Sequence, residues 1–146
     1  MTDRRFVHKA LEGGMAEVEL GRLALTKTND PGIKEFAQKM VDDHTKLGND
    51  MKMVAQQNGI KVPERLSKKD EATKAKLEAL NGAAFEKSYL KDMVKDHEMD
   101  DAEFKKESQM AAIPAVKDAA TNGESVISMH LEMVKKLAAE HGVKPE

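Results

Sequence analysis

Two stretches, Met40-Val41-Asp42-Asp43-His44 and Met93-Val94-Lys95-Asp96-His97, repeat one pattern, Met-Val-x-Asp-His. Each lies midway along a run of apolar residues spaced by three and four, the period of one helix face. Each also puts an imidazole where that face calls for a core residue. A chain of this kind is constrained to fold as long helices packed side by side, with ionisable groups enclosed between them.

Four such segments can be read along the chain. The first runs from about Thr2 to Thr28, with Phe6, Ala10, Gly13, Glu17, Leu20 and Ala24 on one face and Glu17 inside the stripe. Glu19 points to nearly the opposite side. Gly13, Gly14 and Gly21 each cost roughly 1 kcal/mol against Ala in a helix interior, which predicts close helix approach or space beside Glu17. Asp30-Pro31 starts the second segment as N-cap and first helical residue. Its seam holds Ile33, Phe36, Met40, His44, Leu47, Met51 and Val54, and Asn58-Gly59 ends it. The third covers about Ala83 to Gln109, with Phe85, Tyr89, Met93, His97, Asp100 or Asp101, and Phe104. The fourth opens at Pro114 and carries Val116, Ala120, Gly123, Ile127, His130, Val134 and Leu137, with a bend expected at Gly123 and a stop at Gly142. Between the second and third, Ile60 to Leu80 is too long for a turn. Pro63 breaks it, and Ser67-Lys-Lys-Asp70 predicts a capped short helix, so the connection can run the length of a bundle. Residues 1–146 are thus expected to form a single four-helix-bundle domain.

Composition narrows what such a bundle can do. Cysteine is absent, which excludes disulfides, thiolate metal sites, cysteine nucleophiles and iron–sulfur clusters. The 24 basic and 26 acidic residues are interleaved, so no one-signed surface suits nucleic acid. No apolar run reaches transmembrane length, and no signal-like block follows Met1-Thr-Asp-Arg-Arg5. The expected location is therefore cytoplasmic, or else a targeting segment has been removed. With 3% aromatic residues and ten methionines, the core must rely on aliphatic side chains and on Met as an adaptable filler.

The inward ionisable groups fall at matching heights. Glu17 and His44 are 27 residues apart with their midpoint at Asp30/Pro31, and His97 and His130 are 33 apart with theirs at Ile113/Pro114. In an antiparallel hairpin, residues equidistant from the turn are level, here roughly 20–25 Å from it at 1.5 Å per residue. Both pairs therefore predict mid-bundle rungs. Three imidazoles and a carboxylate can fill a four-coordinate shell for Zn, Fe or Cu, and Met40, Met93 and Met133 would place thioethers beside it. A di-iron centre is not expected, because Glu-x-x-His is missing: Val41, Val94 and Ile127 stand three residues before the histidines. Asp43 and Asp96 are either partners of the histidines or exposed charges. Asp101, His8 and His141 are expected at the surface.

Glu12-Gly-Gly-Met-Ala-Glu-Val-Glu-Leu-Gly21, Pro31 through His44, Gly82 through Tyr89, Asp96-His97 and His130-Leu131 together resemble a ferritin-like bacterial family of unknown function. Many of its members are described as exported or outer-membrane proteins. The resemblance covers nearly the whole chain. It implies a ferritin-like four-helix bundle with a long crossover, a periplasmic or envelope location, and recurrent site residues at Glu17, His44, His97 and His130. Val126-Ile127 departs from the Leu-Pro usual in relatives, which removes the proline that would bend the last helix.

The expected function is metal binding: one transition-metal ion held by Glu17, His44, His97 and His130, in metal handling or stress protection, with self-association left open. Two rivals are a non-catalytic structural or interaction bundle with a buried histidine cluster, and a mononuclear redox or peroxide-handling enzyme. No nucleophile elbow or phosphate loop is present to suggest other chemistry.

Overall fold

In the computed structural model, which describes residues 2–144, the chain is all-α. Five helices follow in order: α1 Asp3–Lys27, α2 Pro31–Gln57, α3 Lys68–Glu78, α4 Gly82–Met110 and α5 Pro114–Glu140. The helix starts are set by local chemistry. Thr2, Asp30 and Ser67 each accept a hydrogen bond from the backbone N–H three residues on, satisfying one of the free donors of a first turn. Pro31 and Pro114 occupy first-turn positions, where a missing N–H costs nothing. Gly59, Gly82 and Gly142 adopt positive φ where the chain must turn.

Helices α1 and α2 form one antiparallel hairpin and α4 and α5 another, with α2 beside α5 and α1 beside α4. The chain makes its two tight turns at opposite ends. The segment from residue 58 to 81 runs the full length between them: Ile60 packs in the lower core and Leu77 in the upper. Its α3 is moored by Lys74 Nζ, which donates to Glu19 Oε1 at 2.8 Å, and by Lys76 Nζ, which donates to Asp92 at 2.8 Å. Glu19 is thus engaged by the crossover.

The apolar interior is two clusters. The upper one gathers Leu20, Phe36, Met40, Tyr89, Met93 and Val134 around the α1–α2 turn end. The lower one gathers Phe6, Leu11, Met51, Phe104, Val116 and Ile127. On every long helix the residue between the two is ionisable and buried: Glu17, His44, His97 or His130.

Two causes of interior glycine occur, each at a different place. A Cβ on Gly21 would stand 3.0 Å from the Ala37 carbonyl oxygen of α2, so this glycine lets the helices approach closely. Gly13 and Gly14 have nothing within 4 Å of a built Cβ and border open space beside Glu17. Gly123 leaves α5 continuous from Pro114 to Glu140. Its missing side chain is replaced by the Phe104 ring, which a Cβ would meet at 2.6 Å.

Candidate metal centre

His44 from α2, His97 from α4 and His130 from α5 meet at mid-bundle. Their ring centroids form a triangle with sides of 5.2, 5.7 and 6.0 Å. One nitrogen from each lies within 4.8 Å of the other two. His97 and His130 are fully buried and His44 is 6% exposed.

The tautomers follow from what the outer nitrogens touch. His97 Nδ1 lies 2.8 Å from the Met93 carbonyl, which can only accept, so Nδ1 carries the proton. His130 Nε2 lies 2.7 Å from Asp43 Oδ2 and donates to that carboxylate. The remaining nitrogens, His97 Nε2 and His130 Nδ1, are then lone-pair donors. They are buried without a hydrogen-bond partner, as is His44 Nε2. Leaving a buried polar atom unpaired costs ~1–3 kcal/mol, a cost that a ligand bound among the three gathered rings would relieve.

Electrostatics keep these rings neutral. Burial lowers the pKa of His44 well below its ordinary value, and His97 and His130 lower it further. Burial brings His97 down to about 4, against the opposing pull of the Met93 carbonyl. His130 is lowered by burial in spite of Asp43. Neutral imidazole is the ligating form, and an oriented ring with its far N–H on a carbonyl or carboxylate is the usual support of a metal-bound histidine. Three nitrogens on one ion at 2.0–2.1 Å would stand about 3.4 Å apart, so the gathered nitrogens would have to close by no more than ~1.4 Å.

Of the four groups expected from sequence, the three histidines come together and Glu17 stands apart from the 4.8 Å set. Glu17 is 3% exposed and lines a cavity bounded by all five helices, which also reaches His44. Burial raises its pKa well above the ordinary carboxylate value, and Asp100, Asp96, Asp70 and Asp92 add to the effect. Met40 and Met93 pack in the upper cluster with Met133 against it.

Asp43 resolves as the partner of His130, a role that sequence alone left level with exposed charge. Its position one residue before His44 carries no signal that it reaches across to α5. Asp101, expected at the surface, is instead half-buried, with Oδ1 enclosed and without a hydrogen-bond partner, and it raises the pKa of Glu124 on α5. His8 stays near the surface, 3.7 Å from Glu12. His141 differs from expectation: its Nδ1 donates to the Leu137 carbonyl and its Nε2 lies 3.2 Å from Asp30, tying the end of α5 to the α1–α2 turn.

The profile of a family described as "Domain of unknown function (DUF4142)" matches residues 1–137. No curated protein sequence matches the chain. Among solved structures it is similar to a DUF305 protein from Streptomyces coelicolor, described as a candidate secreted protein, with a TM-score of 0.83, 16% identity, and coverage of 99% of this chain and 97% of that one. It is also similar to CopM in its Cu(II)-bound form, with a TM-score of 0.80, and in its Cu(I)-bound form, with 0.79. Both CopM comparisons have 16% identity and cover 96% of this chain and 97% of the other. At that identity the likeness is one of fold.

Proposed function

We propose, given that this chain belongs to the DUF4142 family, a domain family of unknown function, that it binds one transition-metal ion through His44, His97 and His130. The observation that carries this reading is the meeting of three buried imidazole rings at one level of the bundle, each with a buried nitrogen that has no hydrogen-bond partner. Each ring would supply one neutral nitrogen. His97 is held by the Met93 carbonyl and His130 by Asp43, while the cavity beside His44 leaves a way in for the ion and a fourth coordination position. Glu17 is a neighbour of this set on the cavity wall.

Copper is the first metal to test, since a protein of the same fold is recorded with Cu(II) and with Cu(I); zinc and iron follow. The role we assign is metal handling in the cell envelope. The DUF305 neighbour described as a candidate secreted protein supports that location. Among the described residues no helix is long and apolar enough to cross a membrane. We read the two hairpins as one domain, because both contribute rings to the same centre.

The test is elemental analysis of untagged protein purified without chelators, followed by titration of the apo form with Cu(II), Zn(II) and Fe(II). One equivalent is expected to bind to the parent chain and none at the same affinity to the His44→Ala/His97→Ala double variant. Equal uptake by the two proteins would place any bound metal elsewhere and return the cluster to a purely structural role.

A further inference from the structure

The imidazole centre leaves unexplained the carboxylate next to it. Glu17 is a buried acid whose Oε2 has no hydrogen-bond partner, and it faces a cavity of about 350 Å³. The charges that act on it, from Asp100, Asp96, Asp70 and Asp92, are all of its own sign. A carboxyl in such a place could ordinarily be satisfied by an arginine, a lysine or a backbone amide. Here the cavity's basic side chains serve other acids. Lys9 donates to Glu103 at 3.3 Å and acts on Asp100, while Lys69 and Lys95, both exposed to solvent, act on Asp96.

We propose that Glu17, Asp96 and Asp100 form a second cation site, made of oxygen donors, which holds a hydrated divalent cation in this cavity. Three features support it besides the acidic lining. Glu17 lines the space, is almost wholly buried, and has an oxygen without a hydrogen-bond partner. Gly13 and Gly14 keep the α1 wall bare, with nothing within 4 Å of where a side chain would begin. The volume is also sufficient: six waters around an ion need roughly 180 Å³ at ~30 Å³ each, about half of what the cavity offers. Oxygen donors with retained water favour Mg²⁺, Ca²⁺ or Mn²⁺, whereas the imidazoles favour Zn or Cu. The two sites therefore select different metals. This site stands independently of the imidazole reading.

Mn²⁺ is the probe, followed by the loss of its free-ion EPR signal on titration into the full-length protein. One Mn²⁺ per chain is expected in the parent and also in the His44→Ala/His97→Ala variant. Glu17→Gln and Asp100→Asn, each of nearly unchanged shape, are expected to weaken binding tenfold or more while helical circular dichroism is retained. Undiminished Mn²⁺ binding in both carboxamide variants would overturn the proposal, as would no Mn²⁺ binding by the folded parent. Loss of Mn²⁺ in the histidine variant alone would also overturn it, since the ion would then belong to the imidazoles. If Mn²⁺ binds as expected while the parent takes up no Cu, Zn or Fe, the oxygen site stands and the proposed function falls.

Discussion

At the scale of single residues, the ring of His130 shows how a side chain in a helix seam is given a fixed orientation. A histidine in a seam can turn either nitrogen inward, and which one it turns depends on what holds the other. Asp43, on a different helix, fixes His130 with Nδ1 toward the centre. Removing such a support commonly lowers metal affinity ~10–100-fold. Asp43→Asn is therefore expected to weaken metal binding within that range, measured by competition with a chromophoric chelator, while stoichiometry stays at one. An unchanged affinity would mean that packing alone orients the ring. The partner was not legible in the sequence, because residues 43 and 130 are brought together only by the packing of α2 on α5.

At the scale of helices, the glycines separate contact from space. Gly123 of α5 abuts the Phe104 ring of α4, so Gly123→Ala is expected to destabilise the fold by about 1–3 kcal/mol through overpacking. Gly13→Ala adds a methyl where nothing lies within 4 Å and is expected to stabilise by up to about 1 kcal/mol through helix propensity. Urea denaturation of the two variants checks the opposite signs. A second prediction concerns the join between α1 and the α4–α5 turn. Asp3 Oδ2 accepts from the N–H groups of Ala112 and Ile113 at 3.0 and 2.7 Å. Glu107 lies against it, and burial together with Asp3 pushes the Glu107 pKa up to about 7. An acid held above its ordinary value binds more protons folded than unfolded, so its contribution to stability falls as pH rises from about 4.5 through 7. Glu107→Gln removes that loss. The melting temperature of the variant relative to the parent is expected to rise between pH 5 and pH 8, and a pH-independent difference would remove Glu107 from the account.

At the scale of the whole molecule, the ionisable layer divides the core, so under the proposed function its stability rises when a metal is bound. A metal that binds only the native state at one hundred times its Kd adds about 2.7 kcal/mol. For a chain of this size that is a rise of roughly 5–10 °C in melting temperature, at ~2–4 °C per kcal/mol. The rise should vanish in the His44→Ala/His97→Ala variant and should persist down to pH 5.5, because burial holds His97 at about 4 and keeps His44 and His130 below their ordinary values, so protons compete for the same nitrogens only at lower pH. Differential scanning calorimetry of apo and loaded protein at pH 7.5 and pH 5.5 measures both effects.

The sequence by itself determined the helices, their ends and the level at which ionisable groups enter the core. Those features are written in local chemistry: the three-four period of Ile33 through Val54, the Asp30-Pro31 and Pro114 starts, and the equal spacing of paired residues about the two turns. The reading of Ile60 to Leu80 as a bundle-length crossover belongs to the same class, since chain length and capping residues dictate it. Only the tertiary structure decided which of the level groups touch. A helical period fixes the face from which a side chain projects but not its rotamer, its tautomer or the width of the gap it enters. The three imidazoles close on one point because α2, α4 and α5 converge there. Glu17 stands at the wall of a cavity because Gly13 and Gly14 leave the space beside it open and α3 packs along α1 and α4. Those are long-range packing relations, and no residue's near neighbours in the chain encode them.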